Sequence, residues 1–123
     1  MQLKECYQIF GGDYEDAKKR LYTDELILRL VLKFLSDPNY DRLGCALERG
    51  DYEDAFEAVH TLKGVSQNLG FQRLTHSASG LTELLRGKKE EEIDKEQCDR
   101  LWQEIGRDYD EIIQTVKMLQ TES

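Results

Sequence analysis

Apolar residues recur along most of the chain at alternating steps of three and four, the spacing of helices that each bury one face. Leu3, Cys6, Tyr7 and Phe10 form a short helical pattern that Gly11-Gly12 ends. Asp13, with Asp16 three residues on, is placed to cap a two-turn helix whose apolar side is Tyr14, Ala17 and Leu21. Thr23 then caps a helix with a wide band of Leu26, Ile27, Leu30, Val31, Phe34 and Leu35, stopped by Ser36-Asp37-Pro38. From Asn39 the next helix turns Tyr40, Leu43, Ala46 and Leu47 inward, and Gly50 terminates it ahead of an Asp51 cap. Ala55, Val59, Leu62, Ser66 and Leu69 follow as the seam of a helix packed lengthwise. Gly70 closes that helix, and Phe71, Leu74, Ala78, Leu81 and Leu85 resume the spacing at once, which demands a tight antiparallel hairpin. Gly87-Lys88-Lys89-Glu90-Glu91-Glu92 reads as a loop. Beyond Asp94, Cys98, Leu101, Ile105, Tyr109, Ile112, Val116 and Leu119 mark a long last helix in heptad-like register.

The expected fold is all-α: an antiparallel four-helix bundle built from about 39–49, 52–69, 71–86 and 94–121, with short N-terminal helices within 1–37 capping one end. The length of 123 residues suits one domain spanning 1–123. Gly12-Asp13-Tyr14-Glu15-Asp16-Ala17 recurs as Gly50-Asp51-Tyr52-Glu53-Asp54-Ala55, but the likeness stops there. It reads as a good helix start used twice.

Composition narrows the function. A formal net charge of −8 without a basic cluster argues against nucleic acid as a partner. Cys6, Cys45 and Cys98 are odd in number and widely spaced, which suits packing thiols in a reducing compartment. With no 18-residue apolar stretch and no start-proximal apolar run, a cytoplasmic protein is expected.

Candidate chemistry concentrates on His60. At about 100° per residue it points roughly 135° from the centre of its helix's seam, so it is not a core residue. Phe56, Lys63, Gly64 and Gln67 share its face at i−4, i+3, i+4 and i+7. A mid-helix glycine costs about 1 kcal/mol relative to alanine, and at i+4 it removes the side chain that would crowd the ring. Phe56 offers apolar surface for docking, and Lys63 puts a positive charge within reach of whatever the imidazole carries.

His60-Thr61-Leu62-Lys63-Gly64, followed by Ser66, Asn68, Leu69 and Gly70, resembles the histidine-containing phosphotransfer (HPt) domain of two-component phosphorelays, as does the approach from Leu47 to Val59. The resemblance implies that His60 accepts a phosphoryl group from a receiver-domain aspartate and passes it to another receiver. It further implies Lys63 as charge partner, Gly64 as the gap that admits the aspartate, and Gln67 as a polar group lining the site. Partners would be response-regulator receivers or a hybrid histidine kinase, met by a monomer. No cofactor of its own is implied; the receiver brings the Mg²⁺. Two departures are present: Val59 stands where alanine is frequent, and Leu81-Thr82 where Leu-Glu is frequent, with Glu83 one place late. Neither alters the implied phosphate site.

No glycine-rich nucleotide loop is visible, so the chain reads as a phosphoryl carrier without a nucleotide site, not an enzyme. Two other readings compete. A helical adaptor could dock receivers without transferring phosphate, but the intact His60, Lys63 and Gly64 set argues against it. A metal-binding bundle could use Glu57 and His60 as a Glu-x-x-His unit, yet such sites need two inward-facing units, and Arg73 stands three residues before His76.

Overall fold

The computed structural model describes residues 1–122, and the helices start and stop where the caps and breakers place them. Three N-terminal helices, α1 (Leu3–Ile9), α2 (Tyr14–Leu21) and α3 (Asp24–Phe34), precede four further helices, α4 (Asn39–Arg49), α5 (Tyr52–Asn68), α6 (Gln72–Leu85) and α7 (Lys95–Thr121). Asp13, Thr23, Asp51 and Asp94 each accept a hydrogen bond from the backbone N–H three residues on, satisfying donors that the first turn of a helix leaves unpaired. The segment after Gly87 is not wholly irregular, because Glu90–Glu92 form one 3-10 turn.

Helix α5 packs along α4 on one flank and α6 on the other, and α6 packs in turn against α7. All five seam residues of α5, from Ala55 to Leu69, are buried. Helices α4 and α7 meet through aromatic rings: Tyr40 stacks between Trp102 and Tyr109, with centroids 4.8 and 3.9 Å apart. Two glycines make room for these rings. A Cβ at Gly44 would lie 3.1 Å from the Trp102 ring, and one at Gly106 would lie 3.1 Å from the Tyr40 hydroxyl.

The N-terminal helices do more than cap one end. Cys6, Tyr7 and Phe10 are completely or almost completely buried, and the rings of Tyr7, Phe10 and Phe34 surround Phe71 at 5.1 to 5.9 Å. Burying a side chain of this size stabilises the fold by roughly 1.5–3 kcal/mol. Backbone bonds fix the same contact: Asp13 donates to the Gly70 carbonyl at 2.8 Å, and Arg73 to the Gly11 carbonyl at 3.0 Å. The three cysteines are all free, but Cys45 is exposed and not a packing thiol. The inward stripe of α4 runs through Leu43 and Ala46 and leaves position 45 outside.

Candidate functional site

Ala55, Val59, Leu62 and Ser66 hold one side of α5 in the core, which forces the opposite side outward near the middle of the helix. His60 is exposed there. Helical Cα–Cβ bonds lean toward the N-terminus, and the His60 ring accordingly lies over the preceding turn, stacked on Phe56 with centroids 5.7 Å apart and planes 16° apart. Its imidazole makes no hydrogen bond or ion pair with the described residues. The ring therefore lies back along the helix with free nitrogens.

Charged groups from both neighbouring helices flank it. On the α4 side, Arg42 donates to Glu57 at 2.9 Å and to Asp54 at 3.0 Å, and this guanidinium holds the Asp54 carboxyl below the usual carboxylate range. On the α6 side, Arg86 places its guanidinium 5.3 Å from the centre of the Phe56 ring, so the half-buried Phe56 has His60 against one part of it and Arg86 against another. Arg86 also donates to Glu83 through Nε and Nη2 at 3.2 to 3.4 Å. The Glu83 carboxyl is held below its ordinary range by Arg86 first, with Lys63 and His60 adding to the effect. Lys63 is half-buried and forms no ion pair among the described residues.

Gly64 leaves a gap beside the histidine. Apart from its two chain neighbours and the helix's own backbone, no atom, the His60 ring included, lies within 4 Å of where a Cβ at position 64 would be. Packing inside the protein therefore gives no reason for glycine here. Gln67 is set apart from this group: it is exposed, about 10 Å further along the helix axis than His60, and borders a different hollow with Asp13, Asp16, Gly70, Gln72 and Thr75. Its carbonyl and that of Asn68 accept from Arg20 of α2 at 2.5 and 3.2 Å, closing the C-terminal end of α5.

The structure thus brings together His60, Phe56, Lys63 and Gly64, and adds Glu83 and Arg86, which sequence reasoning left out of the site. A readable signal existed. In a hairpin about Gly70, residues equally far from the turn stand side by side, which puts 83 to 86 beside 54 to 57. His76 lies on the exposed side of α6. The Glu57 carboxylate is engaged by Arg42 and faces outward like His60, which is not the inward pairing that a metal-binding bundle requires. Among the described residues, no group of three or more His, Cys, Asp or Glu side chains is gathered as a metal site would need, and no helix is long and apolar enough to cross a membrane.

Comparison with known proteins gives one family. The model of the Hpt domain matches residues 29–119. No curated protein and no solved structure matches the chain significantly.

Proposed function

Because the chain belongs to the Hpt domain family, a family of phosphocarrier modules that serve histidine phosphotransfer in two-component systems, we propose that His60 is its phosphoacceptor, loaded by the phosphoaspartate of one receiver domain and discharged to another. The observation that carries this is the surface of α5 at mid-length: a solvent-facing imidazole with unengaged nitrogens beside an empty space at Gly64. A receiver must bring its aspartate to within reacting distance, about 3–3.5 Å, and the space at Gly64 is where a second backbone can approach.

In the transfer, the lone pair of the unprotonated imidazole nitrogen forms the N–P bond. The bond between phosphorus and the aspartyl oxygen breaks, its electron pair leaving with the carboxylate, and the other ring nitrogen keeps its hydrogen. The receiver supplies Mg²⁺ for the charge on the transferring group. Phosphoryl transfer depends mainly on positioning and charge neutralisation. This chain contributes both: Phe56 and the rigid helix hold the ring, and Lys63 offers an ammonium group that no internal carboxylate occupies. Receiver docking would use the exposed part of Phe56 and the apolar hollow of about 310 Å³ that begins one residue beyond Gly64, lined by Leu30, Phe34, Pro38, Val65 and Leu69 among others. Gln67 would belong to the rim of that contact.

The test is to charge receiver domains with a small phosphodonor and Mg²⁺, add the chain, and follow acid-labile, alkali-stable label. Label on the chain that is absent from His60→Gln is expected. Receiver binding without label on the unaltered chain would refute the reading in favour of a docking adaptor.

A further inference from the structure

Glu83 is the one carboxylate of the site that no cation from outside the site engages. Glu57, on the other flank, is tied to Arg42 of α4. Glu83 is tied only to Arg86, the same guanidinium that lies over the Phe56 ring against which His60 is stacked. Lys63, a further positive group beside it, has no ion pair among the described residues, and its field reaches Glu83. The carboxylate thus stands among the charges that a phosphoryl group on His60 would draw on, in advance of any phosphate.

We propose that Glu83 competes with the phosphoryl group for Arg86 and Lys63, and so sets how much phosphate rests on His60 at equilibrium with a receiver. The inference rests on His60 being the acceptor. Phosphorylation adds roughly −1.5 to −2 charges within the field of a fixed negative group. Either Arg86 leaves Glu83 for the phosphate, or Arg86 stays and the two anions repel. Both routes raise the free energy of the phosphorylated state relative to the free one, and neither affects the receiver. Glu83 thereby biases the chain toward giving phosphate away. Its side chain is 61% exposed and joined to Arg86 across less than one turn of helix, so replacing it leaves the core untouched.

The experiment compares the unaltered chain with Glu83→Gln, Glu83→Asp and Glu92→Gln, the last an exposed acid in the turn before α7. Each is mixed with a receiver charged by a small phosphodonor and Mg²⁺, and the ratio of phosphohistidine to phosphoaspartate is read once it stops changing. Glu83→Gln should raise the ratio about two- to fivefold at low salt, the size of an exposed charge interaction. The rise should shrink in about 1 M salt, where the Debye length falls to about 3 Å. Glu83→Asp should stay near the unaltered chain and Glu92→Gln should leave the ratio unchanged. An unchanged or lowered ratio in Glu83→Gln, or an equal rise in Glu92→Gln, overturns the proposal while leaving His60 as the acceptor. Absence of label on every form, the unaltered chain included, would remove the reading on which it rests.

Discussion

Replacing Gly64 with alanine should make the protein more stable and less active. Glycine in a helix interior is less favourable than alanine by about 0.5–1 kcal/mol. The structure shows nothing to offset that gain, since a Cβ at position 64 meets no neighbour within 4 Å. With about 2.1 cal/mol/K of unfolding entropy per residue over 123 residues, the expected rise in Tm is about 2–4 °C. The added methyl leans toward the N-terminus like every helical Cβ, into the space between His60 and an approaching receiver. A misplacement of about 1 Å in the reacting groups can cost on the order of a hundredfold in rate, so phosphoryl transfer to the chain should slow by about ten- to a hundredfold. Thermal unfolding by circular dichroism and single-turnover transfer from a charged receiver measure the two effects on one sample. A higher Tm with an unchanged transfer rate would refute the role given to the gap. A lower Tm would refute the claim that the position is open.

The glycine just past the end of this helix gives the opposite outcome. Gly70→Ala forces alanine into φ +72° and sets its Cβ 2.7 Å from the Asp13 carbonyl oxygen and 3.0 Å from the Ala17 Cβ; strain and overpacking together should cost about 2–4 kcal/mol in urea unfolding, and a loss below about 1 kcal/mol would show that the N-terminal helices give way. Lys63→Ala should slow transfer about tenfold or more with an unchanged circular dichroism spectrum, and an unaltered rate would remove Lys63 from the mechanism. Burial pushes the Tyr7 phenol well above its ordinary value of 10.0. The folded chain therefore keeps a proton that the unfolded chain loses, so stability is full below about pH 10 and falls as pH rises above it. Tyr7→Phe should cost about 1–2 kcal/mol at neutral pH, by removing the 2.6 Å hydrogen bond to the Leu69 carbonyl, and should make the alkaline fall in Tm shallower. Equal slopes would show that Tyr7 does not govern it.

Much of this was legible before any coordinates, because helix signals are local. Asp13, Thr23 and Asp51 announce their caps within four residues, and Gly50, Gly70 and Pro38 mark ends by backbone chemistry alone. The outward direction of His60 followed from angular spacing on one helix. What spacing on one helix cannot show is which groups another helix delivers. Glu83 and Arg86 reach the site only because α6 runs back along α5, and the registry of that return depends on how Phe71 settles among Tyr7, Phe10 and Phe34. The depth of α1 was hidden for a similar reason. Seven residues with two buried side chains look like a mere cap on the bundle until Gly12 and Gly70 let two backbones touch. Gln67 was the reverse case: it shares an angular stripe with His60, but the rise along the axis carries it out of reach.

Residues 29–119, the stretch the family model covers, begin inside α3. Yet the last turn of α5 is completed by groups that lie before that point: the Tyr7 hydroxyl on the Leu69 carbonyl, the Asp13 amide on the Gly70 carbonyl, and Arg20 on the carbonyls of Gln67 and Asn68. The stretch matched by the family model is therefore smaller than the unit that holds together in this chain. A chain trimmed to 29–119 would retain His60, Lys63 and Gly64 yet leave bare the end of the helix that carries them.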